Sequence, residues 1–240
     1  MLREIPLTDI LFLDIETIPA FPDLSAAPEN EQELWRKKSA TLFRDERPAA
    51  ESYERAGIYA EFGRVLCISC GSFRKTPASE ALRLDIRSFA GGDENQILNR
   101  FSRYVQKSQA RPLRLCAHNG KEFDFPYLSR RMLVNGISLP RPFDSAGKKP
   151  WEVPHLDTLE LWKFGDYKHY TSLEVLAHVF GIPSPKNNLD GSKIARTWYS
   201  EENLAAIQNY CELDVLTLVN VFLSMSQQLP SEAIQVEYLR

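Results

Sequence analysis

The sequence is poor in the side chains that build metal centres from nitrogen and sulfur: it has four histidines and four cysteines in 240 residues. His118, His155, His169 and His178 fall at no ligand spacing. The close pair Cys67-x-x-Cys70 has no second pair to complete a zinc site. It lies within Val65-Leu66-Cys67-Ile68-Ser69-Cys70, which reads as a buried strand using its thiols as small apolar groups. No disulfide framework is implied, which fits a reducing cytosol. No apolar run approaches the ~20 residues of a membrane span. The opening Met-Leu-Arg-Glu-Ile-Pro has no basic stretch followed by an apolar one. The expectation is a cytoplasmic protein with no membrane partner. An excess of positive charge is also missing, since the net charge is −3. That excludes a protein gripping duplex nucleic acid through phosphate contacts alone. It leaves room for a site that holds phosphates through divalent cations, because such a site needs carboxylates.

What the chain does have is an alternation of strand and helix signals over a length that suits one large domain. The expected class is α/β, a mixed sheet flanked by helices. Residues 9–16, 64–72, 81–89 and 112–118 read as strands. The third shows Leu82, Leu84 and Ile86 alternating with Arg83, Asp85 and Arg87. Residues 20–60 are rich in Ala, Glu, Arg and Pro, with helices expected near 29–43 and 49–59. They read as a helical insertion in a single domain spanning 1–240, either a solvated surface element or a lid. Asp93 and Gln96 resemble a capping box that opens a helix to about residue 107. Further helices are expected at 125–135, at 156–164, from a Thr171-x-x-Glu174 cap to Gly181, at 193–199 and at 201–228, where the fold would finish.

Asp14 and Glu16 stand two apart on the first strand, so their side chains share a face. Adjacent acids on a core strand repel each other and lose hydration, and a divalent cation is the usual compensation. A strand end reaching solvent would remove that need. Asp124, in Asn119-Gly-Lys-Glu-Phe123-Asp124-Phe-Pro126, is well placed as a helix N-cap. That duty is compatible with a second one, because a carboxylate has two oxygens. Tyr210 and Asp214 share a helix face, a weak signal alone. Glu212 lies off that face, Asp157-Thr158 reads as a cap, and Lys168 as a solvated lysine.

The set is stronger than its members. Phe12-Leu-Asp14-Ile-Glu16-Thr17, His118-Asn119-Gly-Lys-Glu-Phe123-Asp124 and Tyr210-Cys-Glu-Leu-Asp214 resemble the three motifs of the DEDDy branch of the 3′→5′ exonuclease superfamily, whose fold is ribonuclease H-like. The DEDDh branch carries a His five residues before its last Asp, and that position here is Asn209. Ala60-Glu-Phe-Gly-Arg-Val-Leu-Cys-Ile-Ser and Leu189-Asp-Gly-Ser-Lys are similar to bacterial stand-alone proteins that resemble the exonuclease domain of family B DNA polymerases. No polymerase follows in this sequence, so proofreading in cis is not expected.

The resemblance implies a hydrolase that removes nucleotides from the 3′ end of single-stranded DNA or RNA, with DNA favoured, and releases nucleoside 5′-monophosphates. It implies two divalent cations, Mg²⁺ or Mn²⁺, about 3.5–4 Å apart. Asp14 would bridge them, Glu16 and Asp214 would complete the nucleophile side, and Asp124 would ligate through water. Tyr210 would orient the attacking water, since a phenol is a poor base at neutral pH. Thr17, Asn119 and Phe123 match positions that hold the 3′-terminal nucleotides. Phe123 would stack on a base or serve as a core aromatic behind the site. One alternative is an exoribonuclease, separated from a deoxyribonuclease by contacts to the 2′-hydroxyl. Another is a non-catalytic nucleic-acid-binding module, which the loss of a carboxylate would favour; all four are present.

Overall fold

Ile10–Pro19 form the first strand, β1, in which large and β-branched side chains are interrupted only by the two acids and Thr17 until proline ends it. The computed structural model describes residues 2–43, 47–75, 82–107, 113–166, 168, 170–183, 189, 191–228 and 234–239. Five more strands join β1: β2 (Gly63–Lys75), β3 (Leu82–Ala90), β4 (Arg114–Ala117), β5 (Leu156–Asp157) and β6 (Gln235–Leu239). Their order in the sheet is β5-β4-β1-β2-β3-β6. The pairs β1–β2 and β2–β3 are antiparallel, and the other three are parallel. The helices are α1 (Glu29–Phe43), α2 (Ala49–Ser52), α3 (Glu94–Lys107), α4 (Asp124–Val134), α5 (Thr158–Lys163), α6 (Leu173–Val179), α7 (Ile194–Tyr199) and α8 (Leu204–Ser226). The expected mixed α/β architecture is the observed one. Among the described residues no helix is long and apolar enough to cross a membrane.

Both faces of β1 are covered. Leu11, Leu13 and Ile15 pack with Ile97, Leu98 and Phe101 of α3 and with Phe125, Leu128 and Met132 of α4. Ile10 and Phe12 pack on the opposite face with Val215, Leu218, Val219 and Phe222 of α8. The Phe12 and Phe222 rings meet edge-on with centroids 5.3 Å apart. Each such burial contributes roughly 1.5–3 kcal/mol, so the placement of α8 across β1 is strongly specified. Cys67 and Cys70 are free and buried. Three apart on a strand, they enter different clusters, one with Ile18 and Cys211 and the other on the α3 side, and cannot share an ion.

Several boundaries differ from the expected ones for local reasons. Ser172, not Thr171, caps α6, accepting from the Val175 amide at 3.3 Å. The expected helix at 49–59 is α-helical only to Ser52 and continues as a 3-10 turn over Tyr53–Ile58. There the chain crosses β1 so closely that a Cβ at Gly57 would sit 2.8 Å from the carbonyl carbon of Ile18. The stretch expected as a helix from 156 opens as the two-residue strand β5 before α5. β6 was not anticipated. It is a short edge strand in which Val236 packs inward and Glu237 pairs with Arg83. His169 and most of the loop expected at 183–193 lie outside the described residues.

Candidate active site

Beyond Phe12, the face of β1 that α8 covers carries Asp14 and Glu16. The β1–β2 ladder slips at this point. Glu16 pairs with Cys67 but Thr17 pairs with Val65, leaving Leu66 as the extra residue. Such bulges re-aim side chains beside functional sites. α8 crosses above and brings Tyr210 and Asp214, four residues apart, to the same place. The Tyr210 hydroxyl neighbours the Asp214 carboxylate closely enough for each to shift the other's titration. Cys211, between them, donates its thiol to Asp14, with Sγ 3.4 Å from the main-chain oxygen and 3.4 Å from Oδ2. One ligand atom from each of Asp14, Glu16 and Cys211 lies within 4.8 Å of the other two. Asp124 arrives from the other side of the strand order, from the loop after β4. It is not the N-cap that its setting suggests: Phe123 holds that position, and Asp124 is the first residue of α4.

These acids are desolvated and crowd one another. Glu16 is 6% exposed and Asp124 4%. Burial raises the Asp14 carboxyl well above the ordinary carboxylate range, and the charges of Asp214 and Asp124 add to it. Burial does the same to Glu16, followed by the charges of Asp14 and Asp214. Asp124 is pushed up to about 7 by burial and by the Asp157 charge, against backbone hydrogen bonds from its own amide and Ile15. Asp214 is pushed up to about 6 by burial and Glu174, against the neighbouring Tyr210 hydroxyl. Among the described residues no lysine or arginine pairs with any of the four. Asp14 and Glu16 stand within reach of one ion, and Asp124 and Asp214 act on them through charge; an acidic cluster of this kind fits a hard divalent cation bound through oxygen. Burial and the neighbouring acids also push the Tyr210 phenol above its ordinary range, so it remains a protonated donor.

The other residues singled out in the sequence surround this cluster. Thr17 follows the bulge near Tyr127, whose hydroxyl donates to the Gly57 carbonyl at 2.8 Å. Asn119 sits in the β4–α4 loop with a left-handed backbone, φ 61°. Phe123 is half-buried against the α4 side of the core, its ring 5.3 Å from that of Tyr127. Lys121 pairs with Glu160 at 2.7 Å. Glu212 points away from the acids and accepts from Ser88 and Gln208, each at 2.8 Å. His118, half-buried and with its pKa lowered by that burial, accepts from the Thr158 hydroxyl and donates to the Thr171 carbonyl, both at 2.9 Å. His155 is likewise structural, bonded to the Leu115 amide and the Pro142 carbonyl.

Sequence reasoning missed the thiol of Cys211, the tether of His118 and most of what Asp157 touches. The placement of Cys211 beside Tyr210 in the third motif was the one local signal. The others depend on contacts between segments 36 to 53 residues apart, which local patterning does not display.

The fold is similar to part of a solved family B DNA polymerase from the hyperthermophilic archaeon Pyrobaculum calidifontis, with a TM-score of 0.54 and 17% identity over 95% of this chain. The chain spans only 27% of that polymerase. Residues 58–238 match a family model, a stretch that includes Asp124, Tyr210 and Asp214 and begins after β1. The chain therefore belongs to the family described as predicted 3′-5′ exonuclease related to the exonuclease domain of PolB.

Proposed function

We propose that this protein is a metal-dependent 3′→5′ exonuclease that shortens single-stranded nucleic acid, DNA in preference to RNA, and releases nucleoside 5′-monophosphates. The observation that carries this reading is the approach of Asp14 and Glu16 to within reach of one ion, under the charges of Asp124 and Asp214 from two remote segments and with no lysine or arginine paired to any of the four among the described residues. Structural acids do not crowd in this way unless a cation is to offset them.

A pair of Mg²⁺ or Mn²⁺ ions held there supplies Lewis-acid chemistry at the scissile phosphate. Asp14, Glu16 and Asp214 would hold them on the side of the attacking water and Asp124 on the other; the charges of Asp214 and Asp124 reach both Asp14 and Glu16. The Tyr210 phenol, kept protonated and next to Asp214, orients the attacking water and does not take its proton. Thr17, Asn119 and Phe123 border the cluster and hold the 3′-terminal nucleotides. Relation to the exonuclease domain of a DNA polymerase family favours DNA. All of this lies in one domain with residues 20–60 as a helical insertion, and the four buried thiols suit the reducing cytoplasm.

The test uses 5′-labelled single-stranded DNA and RNA of one sequence, with Mg²⁺, Mn²⁺ or EDTA and an Asp14→Asn control. The expected result is a metal-dependent ladder shortening from the 3′ end, faster on DNA and absent in the control. Folded protein that yields no ladder on either polymer with metal present sinks the proposal.

A further inference from the structure

We infer that Asp157 is a positioning residue for this site: its carboxylate locks the β4–α4 loop to the start of α5 and so sets where Asn119 and Asp124 stand. The inference rests on the exonuclease reading for its chemical consequence, though not for its geometry.

Asp157 is 2% exposed. As the N-cap of α5 its Oδ1 accepts from the Leu159 amide at 3.0 Å and the Glu160 amide at 3.5 Å. Capping needs no more than this. Yet Oδ1 also accepts from the Asn119 amide at 2.9 Å, and Oδ2 accepts from the Lys121 amide at 3.0 Å. Four backbone donors from two segments thus converge on one buried carboxylate. The loop it holds is unusual in its own right. Asn119 has a left-handed backbone, which a non-glycine residue keeps only where its surroundings over-determine it. Gly120 has no room for a side chain, since a Cβ there would sit 2.3 Å from that of Ala117. His118 is pinned to Thr158 and Thr171 on the same side.

Movement of this loop passes directly to the acids. The Asn119 carbonyl accepts from the Phe123 amide at 3.0 Å, and the Gly120 carbonyl accepts from the Phe125 amide at 2.9 Å. Asp124 lies between those two donors. Small displacements of a group that must meet a metal or a reacting atom have large kinetic effects. The charge of Asp157 reaches Asp124 directly, but its hydrogen bonds act through the loop, and it is these that Asp157→Asn, which also removes the charge, retains in part.

Asp157→Ser separates the two duties. A serine still caps α5 but is too short to reach the amides of Asn119 and Lys121. Asp157→Asn keeps Oδ1 and sets an NH₂ against the Lys121 N–H, a milder lesion. Asp93→Ala removes a cap remote from the loop, that of α3, which accepts from the Gln96 amide at 3.1 Å, and serves as the matched control. In the full chain, hydrogen exchange should quicken at residues 118–123 in Asp157→Ser while α5 stays protected. Mn²⁺ binding followed by EPR should weaken about 10-fold, and kcat should fall about 10- to 100-fold. Asn should fall between Ser and wild type, and Asp93→Ala should leave all three readouts unchanged. Wild-type loop exchange in Asp157→Ser overturns the inference. So does a loosened loop with wild-type Mn²⁺ affinity and kcat, or an equal loss in Asp93→Ala. If the wild type binds Mn²⁺ but cleaves neither polymer, the exonuclease reading fails alone, and the exchange and Mn²⁺ measurements still decide the role of Asp157.

Discussion

Two groups of buried and half-buried carboxylates in this molecule are treated in opposite ways. Glu94, 9% exposed at the start of α3, accepts from the Val65 amide at 2.7 Å, from Arg131 Nε at 2.9 Å and from Asn135 at 3.0 Å, with a second Arg131 nitrogen at 2.5 Å. Arg131 in turn donates to the Ala60 carbonyl at 2.8 Å, which knits α3, α4 and the approach to β2 together. Asp85 on β3 is similar, held by Arg83 at 2.7 Å and Arg74 at 3.1 Å. The acids at the end of β1 have no such cation among the described residues and are pushed toward protonation by burial and by one another. A carboxylate that serves the fold brings its counter-charge with it. One that serves chemistry leaves that position for something outside the chain.

Charge removal should therefore have opposite consequences in the two groups. Asp14→Asn should lower kcat by roughly 10³-fold or more, while the melting temperature in EDTA stays level or rises, because a repelling buried charge is gone. Arg131→Met should do the reverse. Stability should drop by about 3–5 kcal/mol, since Glu94 is left buried and unpaired, while the protein still folded at low temperature keeps metal-dependent cleavage. Thermal melts and single-turnover assays on both variants settle this. Equal destabilisation by the two substitutions would erase the distinction. Tyr210→Phe should come next, with kcat down about 10²-fold and Mn²⁺ affinity unchanged, as befits a group that places water and binds no ion. Weakened Mn²⁺ binding in that variant would move the tyrosine into the ligand set.

The pH dependence sharpens the same contrast. Asp124 titrates near 7 and Asp214 near 6 in the folded protein, against about 4 when unfolded. Between those limits the metal-free folded state binds more protons than the unfolded chain. Through these two groups stability should then fall as pH rises from about 4 to 7, and the raised Asp14 and Glu16 add to the fall in the same direction. Divalent ions must displace those protons, so stabilisation by Mn²⁺ should grow over the same interval. Melts at pH 5 and pH 8, in EDTA and in Mn²⁺, give four numbers. A metal shift of equal size at both pH values would contradict the titration behaviour of the cluster.

The parts of the site that were legible in the sequence are those where chemistry and local geometry coincide. Asp14 and Glu16 could be placed on one strand face from their spacing, and Tyr210 and Asp214 on one helix face from theirs. That the two faces meet is a property of α8 lying across β1, and the motif resemblance, not periodicity, anticipated it. The short strands were harder to see. β5 contributes two residues, too few to show a period, and β6 is a five-residue edge strand whose alternation is too short to stand out after the long α8. Asp157 looked like a cap and is one, but its ties to Asn119 and Lys121 span 38 and 36 residues. Left-handed Asn119 and the Thr171 carbonyl taken by His118 belong to the same class: they are set by where loops land.

The smallest predicted effect tests whether the thiol nearest the acids belongs to the site or to the core. Cys211 and Cys70 are both buried, and each donates at 3.4 Å, Cys211 to Asp14 and Cys70 to the Arg87 carbonyl. As small apolar side chains with a weak donor, they should respond alike in stability, Cys→Ala costing about 1 kcal/mol at either position. They should differ at the metal. Cys211→Ala frees Asp14 Oδ2 from its only hydrogen bond among the described residues, so Mn²⁺ affinity should change by a few-fold, about 1 kcal/mol at most. Cys211→Ser, which keeps a donor, should recover part of that change, and Cys70→Ala should show none. Titrations of Mn²⁺ into the three variants read the difference directly. An identical response of both alanine variants would make Cys211 packing material that happens to lie beside a carboxylate. A response confined to position 211, with partial recovery by serine, would show that orienting Asp14 is shared between the sheet that carries it and the helix that covers it.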